Sequence, residues 1–543
     1  MSIGTTRISS PFQTTCIAGN MKKILPLFTL VLLNLIVGWI VLPDFGQTID
    51  EPYQHGYAER TIQAFRSVFE TGEFSDYFFK ERPKQGSHGP AFMMVVIALR
   101  DIVIPNANQL EQLHFGHYIY FMAFQAGIVG IYFLARHWTS DAAAFGTALL
   151  FNTQPLLIGH SLMNPKDVIF MSLMAASAAL GLRMVDRSDK KAFSGRDTSV
   201  ISSIRSFFRA FLSIDVWLAA FMLGFASATR LVAPLMGIVI LVYILASRRW
   251  TAWPNFAAYG LLAFSFMILF WPYLWPDPFR RLIESIGYSV TYPGTHLTLF
   301  RGTLYDANEI PYSYLPVLLA IQLTEPTLLL IIMGMVALLK KFRGDLVSLI
   351  LVWFVFPAAM LLLISVNLYN NYRQVFFLLP PLFLLAGLGL DWIFSYLQRG
   401  AVRWGIVCLA LLPGLFASIG LHPYEYVYYN QLVGGVHGAY RKFELDYWGL
   451  ALMEAQTYVN QVAEPNAHIF VGDSKATAQT FARSDLLFNT FGNQRKNWCQ
   501  YDYIVISTSK NFDQRYADFP VVFQVERAGV PLILVMKPGA VEE

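Results

Sequence analysis

Two adjacent carboxylates, Asp50 and Glu51, stand in the stretch GQTIDEPYQHGYAE just beyond the first long apolar run. Placed there, a carboxylate can start a helix or accept a proton. Pro52 suits a first helical position, so one of the pair is expected to cap a helix. A carboxylate bonded to helix N–H groups is a poorer base. We therefore assign the cap to Glu51 and leave Asp50 free to take a proton from a substrate hydroxyl. Other stretches hold complementary side chains. KERPKQGSHGPAF, 80–92, carries Lys84 and His88, and GHSLMNPKDVIF, 159–170, carries His160, Asn164, Lys166 and Asp167. Lys166 can pair with Asp167 or meet an anionic lipid. NLYNNYRQVFFLLPP, 367–381, sets Arg373 between Tyr369 and Tyr372, and a guanidinium is suited to bidentate phosphate binding. YPGTHLTLFRGTLYDANEIPYSYLP, 292–316, offers His296, Arg301 and Asp306. Each feature alone fits a structural role. Together they bring acid, base and phosphate-binding types to one side of a membrane.

The elements that must position them are membrane helices. The chain has 543 residues, 55% of them hydrophobic and 14% charged, and a mean hydropathy of +0.45. That composition lies outside the range of soluble globular domains. Apolar runs of spanning length fall near 24–43, 113–135, 142–158, 167–184, 213–228, 231–247, 255–275, 313–339, 346–366, 374–390 and 404–420, which predicts about eleven spans. Alternate connections are basic, including Lys22 and Lys23, the 183–209 stretch, Arg248 and Arg249, and Lys340 and Lys341. The positive-inside rule then puts the N-terminus in the cytoplasm, and an odd span count puts the C-terminus outside. The same clustering explains the net charge of +4 by topology and excludes nucleic acid as a partner. Cys16, Cys408 and Cys499 match neither a zinc site nor a disulfide framework. No Walker, dinucleotide-binding or HExxH pattern occurs.

The domain reading is a cytoplasmic tail over 1–20, with Met1 or Met21 as the start, a membrane domain over 21–420, and an extracytoplasmic α/β domain over 421–543. The segment from Met21 is too long for a cleaved leader and is expected to stay as an anchor. Segments 44–112, 159–166, 276–312 and 367–373 are the expected outer loops. In the first, Ala58, Ile62, Phe65 and Phe69 share one helical face, which predicts a helix lying on the membrane. PAFMMVVIALRDIVIP, 90–105, is too short and too charged to span and reads as interfacial. SATRLVAP leaves Arg230 at a break between two short helices, tolerable where the break faces protein or water. The tail shows strand-like AHIFVGD, YDYIVIS, VVFQVER and PLILVMK around a helical DYWGLALMEAQTYVNQV. DYWG reads as the helix start rather than as part of a site.

The chain resembles the GT-C membrane glycosyltransferases, in particular bacterial relatives of the protein O-mannosyltransferases and the lipid A aminoarabinose transferase. DEP after the first span, the MNPKD loop, SATRLVAP, NYRQVFFLLPP and HPYEYVYYNQLVGG...ELDYWG carry the resemblance. It implies an inverting transfer of a sugar from a polyprenyl-phosphate donor to a protein, glycan or lipid hydroxyl at the outer face of the inner membrane. Asp50 would be the general base with Glu51 beside it, and Arg373 would bind the donor phosphate, helped by Lys166, His88 and Lys84. Tyr53, Asn164, Asp167, Tyr369 and Tyr372 are expected to line the substrate. Relatives commonly follow the arginine with His where this chain has Gln374. Some carry a metal- or phosphate-binding Glu-Lys-Pro-Pro motif where it has SHGP, so no metal ligand is carried over. No cofactor is certain, and the resemblance leaves room for a divalent metal. The alternative is a multi-pass transporter or flippase for a lipid-linked or anionic substrate, which would place ionisable groups near mid-membrane.

Overall fold

The apolar runs fold as helices, and where those helices stop or bend decides where polar chemistry can sit. The computed structural model describes residues 11–72, 88–192, 200–290, 296–363, 367–491 and 498–538; Lys84 lies outside them. Seven helices are long and apolar enough to cross a membrane: Ile24–Asp44, Gln109–Trp138, Asp167–Ser188, Trp250–Leu269, Gly344–Leu363, Arg373–Ser395 and Gly400–Leu421. Three more runs are bent helix pairs, Asp141–Asn152 with Pro155–Met163 (63°), Ile204–Ala210 with Ile214–Ser227 (68°), and Tyr314–Gln322 with Glu325–Lys340 (114°). Counting each pair as one span gives ten among the described residues. Pro155 and Pro326 stand in the first turn of the second half of their pairs. With no N–H to donate, they end the preceding ladder. The eleventh expected run is Leu235–Ala246, whose 12 residues reach only ~18 Å at ~1.5 Å per residue. The chain is thus a polytopic helical membrane protein with seven to ten candidate spans rather than eleven. Its first helix, Pro11–Val41, already begins within the expected tail.

The helix Glu51–Thr71 ends at Gly72, whose φ of 72° suits a residue without Cβ. It buries Tyr57, Ala58, Thr61 and Ala64, a face rotated from the expected one. Phe65 packs edge-on against Trp275, while Phe69 stays 80% exposed. The neighbouring helix, Ala91–Val103, holds it through Arg100 and Glu59, 3.1 Å apart, and Ala91 N donates to Ala228 O at 3.1 Å.

Beyond the last long helix, a five-stranded sheet has the order β4-β3-β5-β7-β6. Its strands are β3 (His468–Val471), β4 (Leu487–Asn489), β5 (Tyr503–Ser507), β6 (Val521–Arg527) and β7 (Val530–Met536). β3 runs parallel to β4 and β5, and β7 runs antiparallel to β5 and β6. The four strand-like runs are all strands; β4, three residues long, is too short to show alternation in sequence. The tail helix is Leu452–Val462, starting later than expected because Gly449, at φ 68°, turns the chain first. A separate hairpin, β1 (Leu297–Phe300) with β2 (Thr303–Asp306), occupies the 276–312 segment.

Helices Glu325–Lys340 and Leu379–Ser395 touch backbone to backbone. A Cβ on Gly334 would stand 1.8 Å from Leu385 O, and one on Gly389 2.2 Å from Leu330 O. Small residues permit such approach in membrane helices. Gly334→Ala is expected to destabilise the protein by about 1–3 kcal/mol, the usual cost of overpacking, read as a lower thermal midpoint in detergent. Gly260→Ala, which meets nothing within 4 Å, is the control and should leave the midpoint unchanged.

Candidate active site

The acidic pair divides its labour differently from the expected cap. Asp50 holds the N-cap position but its side chain makes no cap bond. Glu51 is the first helical residue and turns its carboxylate backwards. Its Oε2 accepts from Thr48 N at 2.7 Å and from Thr48 Oγ1 at 3.1 Å, and its Oε1 lies 2.9 Å from His117 Nε2. Glu51 therefore fixes the turn before the helix instead of capping it, and it is fully buried. Asp50 is left facing out, with a side chain 38% exposed.

The MNPKD loop makes the next layer. Asn164 Oδ1 accepts from Lys166 N at 2.8 Å and Asp167 N at 2.7 Å, so an Asx-type turn opens the helix that starts at Asp167. Asn164 Nδ2 lies 3.0 Å from His160 Nδ1, and His160 Nε2 lies 2.8 Å from Tyr447 Oη. Asp167 does not pair with Lys166. One of its oxygens is 2.9 Å from Arg373 Nη1 and the other 2.7 Å from Arg230 Nη1. Arg373 reaches Asp50 with its second terminal nitrogen, at 3.1 Å.

Arg373 is held in place from both sides. Asn370 and Asn371, at φ 53° and 58°, form a left-handed turn that Asn tolerates better than most residues. Glu444 Oε2 accepts from Asn371 N at 3.0 Å, and Tyr314 and Tyr429 donate to Asn371 oxygens. The guanidinium lies 4.4 Å from the Trp448 ring centroid and 5.5 Å from that of Tyr369. DYWG therefore contributes to this cluster. Asp446 does not start the tail helix as expected: it accepts from Leu450 N and Ala451 N in the turn that precedes Leu452. Trp448, however, covers Arg373 and takes Ile49 N on its carbonyl at 3.1 Å.

Lys166 is half-buried, and its ammonium has no hydrogen-bond or ion-pair partner among the described residues. Burial, then the nearby Arg230, pushes its pKa down to about 7. His88 is held well below the ordinary imidazole range by Lys166 first and burial second. Tyr57 Oη donates to the His88 carbonyl at 2.8 Å. Tyr372 is buried, and Tyr53 is 43% exposed in the first turn after the acidic pair. His296 stacks on Tyr369 with centroids 4.0 Å apart, while Arg301 lies at the far turn of the hairpin. Arg230, His117 and Trp448 complete the cluster and were not singled out as site residues by sequence. A lone Arg at a helix break was the one available signal for Arg230.

Among the described residues, no group of three or more His, Cys, Asp or Glu side chains could hold a metal ion. Asp50 and Asp167 share a guanidinium, which a divalent cation would have to displace. This donor set does not fit a metal.

Solved structures are similar to the chain. ArnT from Cupriavidus metallidurans bound to undecaprenyl phosphate matches at 14% identity and TM-score 0.45, covering 94% of this chain and 97% of that one. The oligosaccharyltransferase AglB from Archaeoglobus fulgidus, in complex with an inhibitory peptide and a dolichol-phosphate, matches at 12% identity and TM-score 0.46, over 90% and 70%. The mycobacterial arabinofuranosyltransferase AftD matches at 12% and 0.35, over 83% and 35%. No protein-family description and no curated protein matches the sequence. At such likeness, the residue roles rest on their geometry.

The geometry separates the two aspartates by experiment. Asp167→Asn strips counter-charge from two arginines around a carboxylate of zero exposure, and should cost about 3–5 kcal/mol, as for a broken buried pair. Asp50→Asn alters a part-exposed contact and should cost below about 1 kcal/mol. Thermal unfolding of both variants in detergent checks the contrast; equal losses would refute it.

Proposed function

We propose that the protein is an inverting membrane glycosyltransferase of the GT-C kind, moving a sugar from a polyprenyl-phosphate donor to an acceptor hydroxyl at the outer membrane face. One observation carries the reading. An accessible carboxylate, Asp50, shares Arg373 with the buried Asp167, beside an ammonium, Lys166, that lacks a counter-ion among the described residues. Three cations, Arg373, Arg230 and Lys166, face two carboxylates, so the cluster has room for one more negative charge. A donor phosphate supplies it.

The phosphate competes with Asp50 for Arg373, which frees a carboxylate oxygen when the donor is in place. Asp50 then takes the acceptor hydroxyl proton as the acceptor oxygen bonds to the anomeric carbon. The bond from that carbon to the phosphate oxygen breaks, and its electron pair leaves with the polyprenyl phosphate. Arg373 and Lys166 stabilise the negative charge on that leaving group.

The helix geometry supports an outward-facing site. Asp167 begins its helix, and Arg183 and Arg187, both paired with Asp215, lie ~24–30 Å further along at ~1.5 Å per residue. The ionisable cluster and the basic connections are therefore at opposite ends, as the positive-inside rule requires. A transporter would hold its ionisable groups between those ends.

Purified protein in lipid, given a panel of polyprenyl-phosphate sugars, should release polyprenyl phosphate from one of them. Asp50→Asn should slow that release by about 10²–10⁴ at normal protein level, and wild-type turnover would sink the mechanism. Binding should also depend on pH through Lys166. An adjacent phosphate raises its pKa, so above about 7 binding must take up a proton. Affinity for polyprenyl phosphate then falls as pH rises, with a limiting slope of about tenfold per unit, and flattens below pH 7. Lys166→Met should abolish the slope; a slope unchanged in that variant would remove Lys166 from the phosphate site.

A further inference from the structure

One polar cleft takes no part in that chemistry. It lies between the β1–β2 turn and the loop after β5, has a volume of about 380 Å³, and is lined by Gly302, Leu304, Lys510, Asn511, Phe512 and Arg515. Its charge is one-sided. Lys510 forms a long ion pair with the buried Glu444, at 3.9 Å. Arg515 is exposed, rests over the Phe512 ring at 4.7 Å, and has no ion-pair partner among the described residues. Gly302 N donates to Lys442 O at 2.9 Å, which brings Arg301 and Lys442 to the same rim. Both are exposed and without an ion-pair partner among the described residues. The acid inside the β5 loop, Asp513, is buried and neutralised by Arg441 through contacts of 2.5 and 2.6 Å. Two cations, Lys510 and Arg515, thus line a cleft whose nearest loop acid is already spent, and Arg301 and Lys442 are carried by the chain that adjoins Gly302.

The cleft is tied to the candidate active site along two routes. Glu444 faces Lys510 with one oxygen and bonds Asn371 N and Thr298 Oγ1 with the other. Asn371 lies two residues before Arg373. The β1 strand supplies the second route: its leading neighbour, His296, stacks on Tyr369, and Gly302 lines the cleft at its other end. The four strand residues at ~3.3 Å each put His296 and the turn about 13 Å apart.

We propose that this cleft holds the distal part of the acceptor, and that the acceptor is an anionic saccharide bearing carboxylate or phosphate groups. This rests on the transferase reading above. An acceptor that offers a hydroxyl to Asp50 and anionic groups to Lys510 and Arg515 has to reach past β1, about 13 Å long, which a single sugar does not. The side-chain amide of Gln514, exposed on the lining, suits sugar hydroxyls.

The test uses the full chain in lipid discs and direct binding of three probes of equal length: an oligogalacturonate, a phosphorylated mannooligosaccharide and a neutral maltooligosaccharide. At least one anionic probe should bind about tenfold or more tighter than the neutral one, and added salt should erase the difference. The first two probes separate carboxylate from phosphate as the recognised group. Lys442→Gln combined with Arg515→Gln changes two exposed side chains without an ion pair among the described residues. It should cut the anionic preference by about tenfold while thermal stability and polyprenyl phosphate release stay normal. Equal binding of all three probes, or an unchanged preference in the double variant, overturns the proposal. So does stronger binding of an acidic peptide than of either saccharide. Release of polyprenyl phosphate is measured separately. Normal release without anionic preference refutes the acceptor assignment alone, whereas absence of release from any donor sugar refutes the transferase reading and this assignment with it.

Discussion

Arg373 bridging Asp50 and Asp167 is the constraint on which the rest of the site depends. Ions taken from water cost several kcal/mol each unless paired with good geometry. Here the repayment is a row of alternating charges, Asp50, Arg373, Asp167 and Arg230, with successive contacts of 3.1, 2.9 and 2.7 Å. The row runs from a part-exposed carboxylate to a fully buried one. Asp167, at zero exposure between the two arginines, is the fixed centre of the row, and Asp50 is its most exposed member.

That frame needs interrupted helices, because four residues far apart in sequence must meet at helix ends. Every interruption frees backbone groups that lipid cannot satisfy. The protein supplies partners for several. Asn430 Nδ2 donates to Ala320 O and Leu323 O at the sharpest bend, and Gln154 Nε2 donates to Gln322 O. At the break beside Arg230, Ala228 O accepts from Ala91 N, and Arg230 itself donates to Gln374 O at 3.1 Å. Bending and ion pairing thus work together: a broken helix brings its arginine to the carboxylate, and the arginine also satisfies a carbonyl of the segment that carries Arg373.

Much of this was legible in sequence for physical reasons. Long apolar runs and basic loops announce membrane helices whatever the fold. A Pro after two acids marks a helix start. What sequence does not show is pairing across distance. Lys166 next to Asp167 looks like a local ion pair, yet two arginines 63 and 206 positions away take the carboxylate, since a guanidinium loses less on desolvation than an ammonium. Glu51 next to Pro52 looks like a cap, yet His117 on another helix and Thr48 behind it claim both oxygens. The expected span at 231–247 is a helix of 12 residues, Leu235–Ala246, because hydropathy measures apolarity and not the length of unbroken helix.

The loop 444–449 shows why the tail and the membrane helices act as one body around the site. Glu444 pins the Asn371 amide, Tyr447 meets His160, and Trp448 lies over Arg373 while its carbonyl takes the amide of Ile49, next to Asp50. Both ends of the Asp50–Arg373 pair therefore answer to the same six-residue loop. Gly449 is required there on two counts: its φ of 68° disfavours any side chain, and a Cβ would meet Leu452 at 3.1 Å and Ile49 at 3.4 Å. A displacement of this loop would shift Asp50 and Arg373 together rather than separately, while Asp167 and, through Glu51, His117 tie the same pair to two long helices.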